Sequence, residues 1–143
     1  MASKMIIREF QLDANKIWID IQSPSAAELD QFAENHKIHQ QNLKDCLESD
    51  HLPKFEDTEP LQFLITRVIV GNTREDHTVQ EISSKVAMFF DDNTLITVHR
   101  LPHDFIEDMI TRYIEPKKIK HPKDIAVKLI KGSLRSFERF TLT

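Results

Sequence analysis

Short alternations of hydrophobic and polar residues predict β-strands along much of this chain. In residues 16–21, KIWIDI, isoleucines alternate with Trp18 and Asp20, which is the spacing of a strand. Residues 61–70 are apolar on both faces, as expected of a central strand. Five segments are predicted as strands, the last two joined by a turn at Asp-Asp-Asn: residues 5–10, 16–21, 61–70, 82–90 and 95–99.

A three-to-four-residue spacing of apolar side chains predicts four helices. The first follows Ser-Pro-Ser, where either Ser23 caps the helix with Pro24 in its first turn, or Ser25 caps it with Glu28 three residues later. A short second helix is predicted over residues 40–48. The other two helices are predicted from their apolar stripes, which comprise Phe105, Ile106, Met109, Ile110 and Tyr113, then Ile125, Ala126, Leu129, Ile130, Leu134 and Phe137.

The order of these elements predicts a single, mixed α/β layered domain over residues 1–143, with a sheet covered by helices on both faces. The apolar stripe of the last helix continues to Leu142 without a glycine or another stop signal. This favours a chain cut inside a helix, although a terminal helix docked on its own domain would look the same.

Composition narrows the class of protein. A net charge of −4 gives no support for a nucleic-acid or anionic-membrane surface. The one cysteine can form neither an internal disulfide nor a thiolate zinc cluster, and the two glycines exclude the phosphate-binding loops of nucleotide enzymes. No run approaches the roughly 20 apolar residues of a membrane helix, and no signal peptide is evident. We therefore expect a soluble, cytosolic domain.

Histidine and cysteine are the first candidates for chemistry. His99 and His103 stand four apart, as His36 and His39 stand three apart, but neither pair has the glutamate of a zinc-protease motif. We predict that all four are surface or turn residues. Cys46 falls on the same helical face as two leucines and is predicted to be a small core residue.

An enzyme that pairs Cys46 with His39 or His51 is the least favoured alternative. Acidic neighbours would raise the pKa of a thiol at position 46, which opposes its use as a nucleophile.

Asp45 lies opposite Leu43 and Leu47 on the predicted second helix, and it therefore points outward if the leucines face the core. A solvated surface acid is the simplest interpretation, but an outward carboxylate can also meet a metal ion or another subunit. Four lysines at 117, 118, 120 and 123 are predicted to form a solvated linker.

Five blocks of the sequence, in order, resemble the CorA family of divalent-cation transporters. They include WIDI followed by P-x-x-x-E-L, IH-x-x-x-L-x-D-C-L, PKFE, L-x-F-L-I-x-R and VAMFFDDNTLITVHR. The blocks cover residues 18–29, 38–47, 53–56, 61–67 and 86–100. The resemblance implies a cytoplasmic N-terminal domain with a mixed sheet between helix layers. Such domains lead into a long stalk helix and two membrane helices with Gly-Met-Asn between them, none of which this sequence contains.

The resemblance also implies a site and a partner. In the family, a regulatory Mg²⁺ site lies between neighbouring subunits of a homopentamer, and Asp45 matches one of its ligands. The second carboxylate comes from the neighbouring stalk. Lys44 replaces an acidic residue that adds a further metal site in some members, so no second site is expected. Zinc-handling branches of the family, or a free-standing soluble adaptor, are the alternatives. The isolated domain is expected to bind Mg²⁺ weakly and to form little pentamer.

Overall fold

Six strands form one mixed sheet in the order β1-β2-β6-β5-β4-β3. The computed structural model describes residues 4–36, 54–56, 61–69 and 83–142. Neighbouring strands are antiparallel, except that β2 and β6 are parallel. The strands are β1 Ile6–Asp13, β2 Lys16–Gln22, β3 Lys54–Glu56, β4 Gln62–Ile69, β5 Ser83–Phe90 and β6 Thr94–His99. The mixed sheet predicted from the sequence is confirmed, and β3 is an addition to it.

Helices cover both faces of this sheet. They are α1 Ala26–His36, α2 Asp104–Met109, which continues as a π-helical turn over Ile110–Ile114, and α3 Pro122–Leu142. Leu29 and Ala33 of α1 pack on one face with Ile19 and Phe63. The other face carries α2 and α3. The predicted arrangement of a sheet between helix layers is therefore confirmed. The predicted helix over residues 40–48 lies outside the described residues.

Both faces of β2 are buried, because successive side chains of a strand point to opposite sides of the sheet. Ile19 and Ile21 belong to the apolar layer under α1. Trp18 lies on the opposite side in the layer under α2 and α3, and Asp20 on that side is also fully buried. The alternation in the sequence predicted the strand correctly, but the enclosure of its carboxylate was not predicted.

Helix α1 starts with a capping box built from Ser25 and Glu28. The backbone N–H of Glu28 donates to Ser25 Oγ at 3.2 Å, and the backbone N–H of Ser25 donates to Glu28 Oε1 at 2.9 Å. Of the two predicted starts, the structure selects Ser25. Ser23 instead takes a left-handed backbone conformation, with φ 57°, and donates from its hydroxyl to the carbonyl of Arg100.

Two close contacts fix α3 against the rest of the domain. A Cβ at Gly132 would lie 2.8 Å from Phe105 Cδ2, so α2 and α3 can pack this closely only with glycine at this position. On β4, the Thr66 hydroxyl is 2.7 Å from Ser133 Oγ, which itself donates to the carbonyl of Ile130. Because the Ser133 proton is used in that second bond, Thr66 is the donor in the first.

Candidate functional site

A row of polar side chains crosses three neighbouring strands beneath α2. Arg8 of β1 stands directly opposite Asp20 of β2, and Asp20 is in register with Thr97 of β6. Side chains in register share a face of the sheet and can touch. His99 follows two residues after Thr97 on the same face, and all four meet in one hydrogen-bonded group, here called the ion cluster.

Asp20 lies at the centre of the ion cluster and is fully buried. Its Oδ1 accepts from Thr97 Oγ1 at 2.5 Å and lies 2.8 Å from His99 Nε2. Its Oδ2 accepts from Arg8 Nη2 at 2.9 Å. The indole N–H of Trp18 donates to Thr97 Oγ1 at 3.0 Å, which leaves the Thr97 proton directed at Asp20. Each oxygen of the carboxylate is therefore paired.

These partners keep Asp20 ionised. Burial alone would raise its pKa, but the hydrogen bond and charge of His99, together with the hydrogen bonds from Thr97 and Arg8, bring the pKa below its usual value. A buried carboxylate is tolerated only when its charge is paired in this way.

Arg8 connects the buried carboxylate to the surface of α2. Both of its terminal nitrogens bind Glu107, at 2.9 and 2.7 Å, while Nη2 also reaches Asp20. The side chain of Arg8 is 30% exposed and that of Glu107 is 52% exposed, so water screens this end of the cluster. Hydrogen bonds to Glu107 and Asp20 raise the pKa of Arg8 although partial burial opposes them. The cluster thus joins β1, β2, β6 and α2.

The prediction that His99 and His103 lie at the surface is wrong. They are 3% and 4% exposed, with ring centroids 5.6 Å apart. His99 ends β6 on the inner face of the sheet, where a carboxylate compensates it. His103 precedes α2, which folds back over the sheet and carries the ring inward. Of the other pair, His36 ends α1 stacked on Phe32 and is half-buried, while His39 lies outside the described residues.

One ring nitrogen of His103 lacks a hydrogen bond within the described structure. Its Nε2 is buried and has no hydrogen-bond partner. Burial, followed by the positive charge of His99, lowers the pKa of His103 to about 4, with Asp20 partly opposing. The ring is consequently neutral at neutral pH.

The predicted metal ligand Asp45 lies outside the described residues, as do Cys46 and His51. Within the residues that are described, no group of three or more His, Cys, Asp or Glu side chains is arranged to hold a metal ion. The lysine-rich linker is exposed at positions 117, 118 and 120, as predicted. Lys123 lies in the first turn of α3 and pairs with Asp92 at 3.0 Å.

Sequence reasoning missed the ion cluster, although the sequence held one signal for it. Asp20 lies between the apolar residues Ile19 and Ile21, where a charge must be paired if both faces of the strand are covered. Its partners could not be named from the sequence, since Thr97 and His99 are 77 and 79 positions away.

Several solved structures share this fold of a sheet enclosed by helix layers. The cytoplasmic domain of ZntB from Vibrio parahaemolyticus RIMD 2210633 superposes with a TM-score of 0.73 and 16% identity, over 96% of this chain and 60% of that one. The soluble domain of CorA from Methanocaldococcus jannaschii superposes with a TM-score of 0.65 and 20% identity, over 90% of this chain and 50% of the CorA chain. Full-length CmaX superposes with a TM-score of 0.70 and 12% sequence identity, over 87% of this chain and 38% of the CmaX chain.

The sequence model described as CorA-like Mg²⁺ transporter protein matches residues 13–143. The chain belongs to this family, as the five sequence blocks predicted. It spans from 38% to 60% of the length of the three structures just named. A comparison with curated proteins gave no significant match. Among the helices in the described part of the chain, none is both long and apolar enough to cross a membrane.

Proposed function

We propose that this chain is the cytoplasmic regulatory domain of a CorA-like transporter, in which it senses the divalent cation that the transporter admits. Mg²⁺ is the proposed ion, and Asp45 is one ligand of a site shared between neighbouring subunits of a homopentamer. The observation that carries this proposal is the family match over residues 13–143. The fold shared with the CorA soluble domain and the ZntB cytoplasmic domain supports it.

The chemistry of Mg²⁺ suits a site split between subunits. This ion keeps several waters and is often held by only one or two carboxylates. Two carboxylates that face each other across an interface repel when the ion is absent and are bridged when it is bound. Bound Mg²⁺ would then favour the arrangement in which subunits are held together, and loss of the ion would release them.

Thermal unfolding with added Mg²⁺ tests the role of Asp45. A ligand at about ten times its Kd stabilises the folded state by about 1.4 kcal/mol, or about 4 °C in Tm for a chain of this size. We expect this rise only at millimolar Mg²⁺, because Asp45 supplies only one of the two carboxylates of the proposed site, and we expect Asp45→Asn to abolish it. Asp30→Asn, which removes an exposed carboxylate of α1, is the matched control and should keep the rise. A rise that survives Asp45→Asn would exclude Asp45 as the ligand.

A zinc-handling branch of the same family, the alternative named from the sequence, is the second candidate function. The same melting experiment with Zn²⁺ separates the two. Stabilisation by micromolar Zn²⁺ in the absence of any Mg²⁺ effect would favour the zinc branch.

Whether the domain serves a transporter or acts alone can be read from the gene. Two membrane helices with Gly-Met-Asn between them, encoded downstream of Thr143, would support the transporter. A stop codon directly after Thr143 would favour a free-standing adaptor.

We also infer that the domain binds and regulates but does not catalyse. The described titratable cluster supports this inference, because its charges are paired with one another beneath α2. Iodoacetamide at neutral pH tests the remaining enzyme hypothesis at Cys46. A thiol that serves as core packing should stay unmodified in the folded domain, whereas rapid labelling would revive a nucleophile.

A further inference from the structure

The sheet has two edges of different length. Its strand order places β1 at one edge and β3 at the other. β3 has three residues, and a short edge strand limits pairing with other chains, whereas β1 has eight. Among the described strands only β2 pairs with β1, so backbone N–H and C=O groups on the outer side of β1 have no described strand beside them. Such an edge is a template for a further strand.

Two consecutive isoleucines of β1 are exposed on opposite faces of the sheet. Ile6 is 48% exposed and Ile7 is 43% exposed. Because successive side chains of a strand alternate between the two faces, a partner packed on either face would cover only one of them. A strand added along the edge lies beside both side chains at once. The two isoleucines therefore favour an added strand over a helix packed on the sheet.

The regular part of this edge is short and has one charge already neutralised. The register of β1 against β2 shifts between Gln11 and Asp13, and an irregularity of this kind interrupts further pairing. Residues 6–11 are therefore the part that can accept a strand. Within them, Arg8 is bound to Asp20 and Glu107, so its charge needs no acidic partner from outside.

We propose that the outer edge of β1 pairs with β1 of a second copy of this chain, antiparallel and with Ile7 on the two-fold axis. In such a pair the residue on the axis faces its own copy. An axis on Arg8 or Glu9 would set like charges directly opposite each other, which is unfavourable. An axis on Phe10 would bring Ile7 opposite Asp13, beyond the register shift.

The register centred on Ile7 suits the side chains of both copies. Ile7 packs against its own copy, and Ile6 lies opposite Arg8, whose aliphatic stem it covers. Glu9 has no acidic residue opposite it in this register, whereas an axis on Ile6 would set Lys4 against Arg8. β1 ends at residue 13, where the family match begins, so this contact carries no expectation from that family and is independent of the proposed cation site.

Sedimentation of the unaltered chain over a range of concentrations tests the association. We expect the 16.7 kDa monomer at low concentration and a shift toward twice that mass at about 1 mM, because a single added strand makes a small interface. Amide exchange on the same samples locates the contact. Exchange of the outward-facing amides of residues 6–11 should slow as the concentration rises, while the amides of β3 should not change.

Ile7→Lys tests the register, because it sets two lysines opposite each other. We expect the association constant to fall about tenfold or more. With an axis on Arg8 the new lysine would face Glu9 instead, and stronger association would overturn the proposed register. Val127→Lys replaces an apolar side chain of α3 that is also 48% exposed, and this control should leave association unchanged.

Three results would overturn the pairing of β1 with its own copy. They are a chain that stays monomeric at about 1 mM, equal losses of association in Ile7→Lys and Val127→Lys, and an assembly whose slowed amides lie outside β1. The first and third are measured on the unaltered chain, so they decide even if Ile7→Lys does not fold.

Discussion

Lowering the pH from about 7 to about 4 should destabilise the domain through one buried histidine. His103 is 4% exposed, and its Nε2 has no hydrogen-bond partner within the described structure. Protonation would place a cation there, beside the ring of His99 at a centroid distance of 5.6 Å. The folded domain therefore resists a proton that the unfolded chain accepts readily.

The pKa of His103 is lowered from 6.5 to about 4, first by burial and then by the charge of His99. Between these two values the unfolded chain binds more protons than the folded domain, so the free energy of unfolding falls as the pH falls. The contribution is fully present above pH 6.5. At about 1.4 kcal/mol for each pH unit, the loss reaches about 3 kcal/mol near pH 4. That is a large part of the roughly 5–15 kcal/mol that stabilises a typical domain.

Urea unfolding at several pH values, followed by the fluorescence of Trp18, measures this loss. Trp18 is the only tryptophan and is fully buried, so its emission reports the core directly. The comparison is with His103→Leu, which cannot titrate and has no unpaired nitrogen. We expect the variant to be at least as stable as the unaltered domain near neutral pH. It should also lose about 3 kcal/mol less than the unaltered domain on acidification.

Carboxylates also titrate below about pH 5, but they do so in both proteins and cancel in the comparison. His103→Gln is a second control, because it keeps a polar side chain and removes only the titration. Parallel pH profiles for all three proteins would refute the assignment of the acid sensitivity to His103.

Three further predictions concern stability. Gly132→Ala should lower the free energy of unfolding by about 1–3 kcal/mol, because its Cβ would clash with the side chain of Phe105; this outweighs the better helix propensity of alanine. Chemical denaturation measures the loss, with Lys131→Ala as the exposed-site control. Asp20→Ala should cost about 3–5 kcal/mol, because it removes the buried acceptor of Arg8, Thr97 and His99, whereas Glu107→Gln, at the half-exposed end, should cost under about 1 kcal/mol. Equal losses in urea unfolding would contradict this difference in burial. Ser25→Ala should cost about 1 kcal/mol through loss of the helix cap, and an unchanged Tm would count against the capping box.

Local patterns predicted the strands and helices well, because alternation and helical spacing report directly which side of an element faces a core. The segment around Trp18 and the turn before β6 were both recognised in this way. The π-helical turn after α2 was not predicted. The end of this segment was not signalled by a glycine either, since Lys117 takes the left-handed conformation there, with φ 58°, that glycine more commonly adopts.

The ion cluster could not be predicted, because its members are distant in sequence and meet only through the sheet register. Asp20 and His99 lie on β2 and β6, which are neighbours only because a parallel pairing brings them together. Without knowledge of that pairing, His99, at the end of a predicted strand and shortly before a proline, is predicted to be a turn residue. Because β6 lies in the interior of the sheet, the same position is buried, and the carboxylate of the adjacent strand supplies the hydrogen-bond partner that its ring needs.

Asp20 and Asp45 show how two aspartates of one chain can have opposite relations to stability. Asp20 is neutralised within the domain, so Asp20→Asn should lower the Tm by the same amount with and without Mg²⁺. Asp45 is predicted from the helical wheel and the family resemblance to point outward, where a carboxylate gains a partner only from an ion or another subunit. Asp45→Asn should therefore leave the Tm without Mg²⁺ nearly unchanged and remove only the increment that Mg²⁺ adds. These two variants together distinguish a residue that stabilises the fold from a residue that binds Mg²⁺. A loss of stability of the Asp45 variant in the absence of Mg²⁺ would show that Asp45 stabilises the fold.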